Sequence, residues 1–189
     1  MKRFVSLVLF VICSAFLVSQ SNAQSFGGPD SMKGKFVVGG DFDAGIYGHS
    51  INIGVAPQAG YRLTRSLELG IRLGYQLNYN YGDNYYGSYS CHFFSGAAYA
   101  NFEVFRGLYL HVEDEEMCLL VRGQAINPST PSWYNSIFVG GGYRQYFNEK
   151  DFLYYAFLYN LSWGYDDLGN YNSPYANPFV IRVGYCHGF

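Results

Sequence analysis

Charge is scarce in this chain of 189 residues: Asp, Glu, Lys and Arg together make up 14%. The 12 basic residues fall short of the 14 acidic ones, leaving a net charge of −2. Nucleic-acid binding, which needs a basic patch, has no support in that balance. Cysteine is also sparse. Of the four, Cys13 lies in an N-terminal apolar run, while Cys91, Cys118 and Cys186 form no CxxC pair and no paired metal-ligand spacing. No serine is framed by a nucleophile-elbow motif. A helical membrane span is missing too, because the long apolar stretch Phe4 to Val18 is short of the roughly 20 residues such a helix needs.

Aromatic and small residues are what the chain has: 20 Tyr, 16 Phe and 23 Gly. Aromatic girdles and glycine-softened strands use that composition, and disorder does not. Residues 1–23 begin with Lys2 and Arg3, run apolar to Val18 and finish Ser21-Asn22-Ala23, with small residues at both cleavage-determining positions. That is the pattern of a secretory signal peptide. Cys13 follows Val11-Ile12 rather than a small residue, which argues against a lipoprotein cleavage site. Cleavage removes Lys2 and Arg3 and no acid, so the net charge becomes −4 over the remaining 166 residues, a length suited to one domain. Residues 24–34 read as a polar periplasmic lead-in, and 35–189 as the folded domain.

Within that domain the dominant signal has period two, which sends alternate side chains to opposite faces of a strand. Ile51, Ile53, Val55, Pro57, Ala59, Tyr61 and Leu63 share one face, opposite Asn52, Gly54, Ala56, Gln58, Gly60 and Arg62. After Thr64-Arg65-Ser66, Leu67 to Tyr79 repeats the pattern against Glu68, Gly70, Arg72, Gly74, Gln76 and Asn78. One face is wholly apolar and the other carries glycine, amides and ions, the reverse of a soluble barrel. Pro57 interrupts a strand pattern and predicts a local bulge.

Six further alternating stretches, starting near Lys35, Ser90, Leu108, Asn135, Leu153 and Phe179, bring the count to eight. The fold class this implies is an all-β, eight-stranded antiparallel up-and-down transmembrane β-barrel. Connections of about three residues after strands two, four and six would alternate with longer ones of about 11 to 16 after three, five and seven, as in barrels with short periplasmic turns and long outer loops.

The last strand, Phe179 to Phe189, places Arg182, Gly184, Tyr185, His187 and Phe189 at positions that resemble the outer-membrane assembly signal, with His187 a departure from the usual aromatic or aliphatic residue. The whole mature chain resembles small eight-stranded outer-membrane barrels of the Gram-negative envelope. Ala56-Pro57-Gln58-Ala59-Gly60-Tyr61, Gly140-Gly141-Gly142-Tyr143-Arg144-Gln145 and Ser173-Pro174-Tyr175 are similar to an uncharacterised family of such proteins. The resemblance implies a fold and the outer membrane as location, with outer-membrane lipid and, during biogenesis, the barrel-assembly machinery as partners. It implies no chemistry.

Eight strands enclose just enough room for side chains, so the inward ions should form a salt-bridged plug: Asp41, Asp43, Glu68, Glu103, Glu113 and Glu115 against Arg62, Arg72, Arg144 and Arg182. His111, Glu113 and Glu115 share a strand face that could hold a cation, set at the outer rim because Asp114 and Glu116 are interleaved; solvated rim carboxylates and a structural histidine account for the same residues. For a lipid-modifying hydrolase the nearest pairs are His92 with Ser95 and His187 with Ser162. The tyrosine-rich stretches Tyr81 to Tyr89 and Tyr165 to Tyr175 suit either a recognition surface or a membrane interface. Cys91 and Cys118 could meet in a disulfide if the outer segments flex, leaving Cys186 a buried free thiol. No cofactor, no catalytic residue and no nucleic-acid partner is expected, and the protein is expected to be a monomer. The functional readings are a structural or surface-interaction barrel, a small pore, a secreted ligand-binding barrel and a lipid-modifying enzyme.

Overall fold

The structure, a computed structural model, describes residues 35–47, 49–82, 87–123, 130–164, 173–175 and 177–189. The signal peptide and lead-in expected for residues 1–34 lie outside the described residues. Eight strands follow in order: β1 (Phe36–Tyr47), β2 (Ser50–Arg62), β3 (Leu67–Asn80), β4 (Tyr89–Phe105), β5 (Leu108–Gly123), β6 (Ser132–Tyr146), β7 (Asp151–Asn160) and β8 (Phe179–Gly188). Each pairs antiparallel with the next, and β8 returns to β1 to close the barrel. No helix occurs among the described residues.

The two faces divide as the alternation predicts. Phe42, Ile53, Ile71, Leu73, Leu110, Phe157 and Ile181 are exposed on the outside, whereas Arg62, Glu68, Glu103, Glu113, Glu115 and Arg144 are buried inside. Apolar side chains also contribute to the interior, in two clusters: Val37, Phe152, Tyr154 and Cys186, and Tyr109, Phe138, Ala156 and Leu158. Three inward tyrosines lie across inward glycines one or two strands away. Tyr99 covers Gly60 and Gly70, Tyr109 covers Gly142, and Tyr154 covers Gly184, each so closely that a β-carbon on the glycine would overlap the phenol. The absent side chain is what lets the rings lie flat against the wall.

Three short turns gather at one end, and a two-residue connection joins β1 to β2 at the other. Thr64 Oγ1 accepts from the backbone N–H groups of Ser66 and Leu67 in the β2–β3 turn, and Asn148 Oδ1 does the same for Lys150 and Asp151 between β6 and β7. Between β4 and β5, Arg106 and Gly107 both have positive φ (39° and 89°), the backbone sense of a two-residue turn matched to strand twist.

Three expectations need correcting. Pro57 makes no bulge: its ladder with β3 drops the rungs at Ala56 and Pro57 and resumes in the same register, while the irregularity falls at Glu103/Phe105. The connections after β3, β5 and β7 are eight, eight and 18 residues, because β4 begins at Tyr89 and β5 runs to Gly123. Finally, Cys91 is level with Val121 and Cys118 with Phe94. The two cysteines are three residues out of register and therefore on opposite faces of the sheet, and all three described cysteines are free thiols.

Candidate functional site

The lumen holds the densest chemistry. At the short-turn end, Arg62 and Arg144 meet Glu68 and Glu103: Arg62 Nε lies 3.4 Å from Glu68 Oε2, Arg62 Nη2 3.3 Å from Glu103 Oε2, and Arg144 Nη2 3.0 Å from Glu68 Oε2. Tyr146 donates its hydroxyl to Glu103 at 2.8 Å, Asn101 its amide to Glu68 at 3.2 Å, and the Gly107 N–H reaches back to Glu103 at 2.8 Å. Two cations thus face two carboxylates. The guanidiniums also lie over the rings of Phe152, Tyr109 and Tyr146, within reach of a cation–π attraction.

Further toward the long loops, Arg182 donates to Glu113 at 2.6 Å and Arg72 grips Asp41 through two nitrogens at 2.8 and 3.2 Å. Tyr154 adds a third donor to Asp41 at 2.9 Å. His111 sits between Asn101 Oδ1 at 2.6 Å and Glu113 Oε2 at 3.2 Å. Asp43, nearer the mouth, accepts from Asn52 at 2.6 Å. The expected pairing of interior arginines and carboxylates is therefore present, with each arginine facing a carboxylate.

The metal expectation fares differently. His111, Glu113 and Glu115 are buried in the lumen rather than at a solvated rim, because their face of β5 turns inward while Asp114 and Glu116 turn outward. Arg182 and Arg72 already answer these carboxylates, and no three-residue metal-ligand group occurs among the described residues.

Neither hydrolase pair is assembled. His92 points outward and Ser95 inward; His92 instead contacts Ser90 Oγ at 3.2 Å and Tyr75 Oη at 3.0 Å. His187 is at the short-turn end, where its Nδ1–H donates to Asp151 at 2.6 Å, and Ser162 follows the opposite end of β7. The departure at His187 thus has a partner: Asp151 stands beside it in register and accepts from Tyr185 as well.

Tyr175, the last residue of the stretch that suits a recognition surface or a membrane interface, turns into the lumen instead. It lies in the 18-residue connection before β8, beyond any strand pattern, yet its hydroxyl donates to Glu115 at 2.6 Å and its ring meets Phe138 edge-on. Trp163 donates to the Tyr175 carbonyl at 3.1 Å, and Ser173 Oγ accepts from Asn160 at 3.1 Å. Ser173 and Tyr175 are so pinned at the barrel mouth. Burial first, then the Glu115 carboxylate, pushes the Tyr175 phenol well above its ordinary pKa. Most of the recognition stretch Tyr165 to Tyr175, like 83–86 of the other, lies outside the described residues.

No protein-family model and no curated protein matches this chain. Among solved structures it is similar to Neisserial surface protein A, with 16% identity over 83% of this chain and 98% of that one and a TM-score of 0.48. It is likewise similar to the N-terminal β-barrel domain of Pseudomonas aeruginosa OprF, at 14% identity over 83% and 98%, TM-score 0.45. A de novo designed transmembrane β-barrel is a third, at 12% identity over 83% and 97%, TM-score 0.44.

Proposed function

We propose that the chain is an integral outer-membrane barrel with an occluded lumen, and that it serves a structural or surface-interaction role through its long-loop end. The observation that carries this reading is the inverted polarity of the wall. Buried arginine–carboxylate pairs fill the inside, and Ile53, Ile71, Leu73, Leu110, Phe157 and Ile181 face outward in a band that water would not tolerate as a continuous surface. Strands of 10 to 17 residues suffice for an apolar band about 25 Å tall. Outer-membrane lipid is then the surrounding solvent, and export with assembly by the barrel machinery follows from the N-terminal and C-terminal signals in the sequence.

Occlusion follows from the ion pairs. Arg144 of β6 and Glu68 of β3 reach each other across the lumen, leaving cavities of about 20 and 60 Å³. The test has two arms. Mature protein should require detergent to fold and should fractionate with outer membranes; recovery in the soluble periplasmic fraction would refute the membrane reading. In planar bilayers it should give no stable large conductance, and a steady open channel would replace the occluded barrel with a pore.

A further inference from the structure

The two cavities in the luminal plug differ in charge. The smaller, about 20 Å³, has Glu68 and Glu113 in its wall with Arg144 and Arg182, so its two carboxylates meet two guanidiniums. The larger, about 60 Å³, lies nearer the long-loop mouth and is walled among others by Asp41, Asp43, Arg72, Gln76, Ser95 and Glu115. Three carboxylates there face one guanidinium. Arg72 is committed to Asp41, which it grips at 2.8 and 3.2 Å, and its Nη1 stays 3.6 Å from Glu115 Oε1. Two negative charges are left over.

The uncommitted acceptors of this wall are oxygens. Glu115 is 0% exposed; its Oε2 accepts from Tyr175, while Oε1 accepts no hydrogen bond. A buried carboxylate oxygen without a donor is costly. Asp43 Oδ2 accepts from Asn52, and Gln76 donates its amide to the same Asn52 at 2.7 Å, which leaves Gln76 Oε1 as the free end. These two side chains flank Gly54, where an added β-carbon would come within 3.6 Å of both. Ser95 contributes a hydroxyl from β4. Asp43 is exposed at the mouth, so the wall can be reached from outside, and the cavity has the volume of about two waters.

We infer that the larger cavity is a binding site for one divalent cation of the size of Ca²⁺, held by Glu115 and Asp43 with neutral oxygens from Gln76 and Ser95. Water fills the remaining positions. Oxygen donors select a hard cation, two carboxylates supply its countercharge, and an irregular wall suits the flexible coordination of Ca²⁺ better than the strict octahedron of Mg²⁺. No group of three His, Cys, Asp or Glu side chains placed for a metal occurs among the described residues. The site therefore depends on its neutral oxygens, and a dissociation constant of about 10⁻⁴ to 10⁻³ M is expected. Because Glu115 also carries the Tyr175 hydroxyl, the bound ion steadies a residue at the barrel mouth. The inference deepens the surface-interaction reading above and rests on it, since the ion acts on the end of the barrel that meets a partner.

Chelator-treated, isotope-labelled protein refolded in dodecyl maltoside is titrated with calcium chloride and followed by amide resonances. Saturable shifts at Asp43, Gln76, Glu115 and Tyr175 with one common midpoint are expected, and sodium chloride at matched ionic strength should produce none of them. Glu115→Gln and Asp43→Asn should each weaken binding about tenfold. Asp114 and Glu116, exposed acids on the outer face of β5, are the competing site; Asp114→Asn combined with Glu116→Gln should leave the affinity unchanged. Equal shifts from sodium, no saturation by about 10 mM calcium, unchanged affinity in the lumen variants, or loss of binding in the outer-face variant would each overturn the site. If Glu115→Gln does not fold, Asp43→Asn decides alone. Failure here leaves the detergent requirement for folding and the lack of conductance intact, so it is distinguishable from failure of the reading it rests on.

Discussion

Arg144 and Glu68, 3.0 Å apart and both almost wholly buried, tie strands β6 and β3 together from opposite walls of the barrel. Removing one partner strands the other charge where water cannot replace it. Arg144→Ala or Glu68→Ala should each cost about 3–5 kcal/mol, whereas replacing both with leucine should cost less than either single change. Urea unfolding in micelles, read by the mobility difference between folded and unfolded barrel on gels, checks the order.

The cysteines give a second prediction. With Cys91 facing the lumen and Cys118 the outside, peptide mapping without reductant should recover both as free thiols. Cys118, half-exposed between Phe94 and Trp133 in register, should react first with a membrane-soluble maleimide. A recovered Cys91–Cys118 bond would mean that the β4–β5 ladder is in another register.

Alkaline pH should loosen Tyr175 from the barrel mouth. Folding raises the Tyr175 pKa above its ordinary value of 10.0, so the folded chain binds the proton more tightly than the unfolded one. Its stabilising contribution is complete below pH 10 and is lost as pH rises through the folded value. Tyrosinate absorbance should show the buried tyrosines ionising later than the exposed ones, and Tyr175→Phe should remove one tyrosine's share of that late amplitude. An unchanged late amplitude would mean that Tyr175 ionises with the exposed tyrosines.

Glycine positions under tyrosine rings should not tolerate a methyl. Gly70→Ala should destabilise by about 1–3 kcal/mol because the added methyl overlaps the Tyr99 ring and crowds the Ala59 carbonyl. Gly96→Ala, whose added β-carbon meets only Leu73 Cδ2 at 3.9 Å, should stay within about 0.5 kcal/mol. Equal costs at both sites would show that loss of glycine itself, not crowding at Gly70, sets the cost.

Ile51 to Tyr79 declared its faces in sequence because one face was apolar at every position. Met117 to Val121 hid the far end of β5 for the opposite reason: Met117, Cys118, Leu119, Leu120 and Val121 are apolar on both faces, so no period marks a strand. The interior charges were legible as a set but not as pairs. Arg182 and Glu113 lie 69 residues apart in sequence, and only ring closure decides that they meet. Tyr175 was illegible because an aromatic loop residue has the same composition whether it faces a membrane surface or plugs a mouth.

The closing contact between β1 and β8 also bears on how the chain finds its fold. Every other strand pair joins sequence neighbours, and six of those seven are linked by no more than eight residues. Val37↔Gly188 instead spans the described chain from end to end, so its loop-closure entropy is the largest while its ladder is the shortest. The hairpins can form early and independently, but the ring cannot persist until this last, least rewarded encounter occurs. Folding speed and resistance to unravelling should therefore be governed from the same few rungs, Val37 to Asp41.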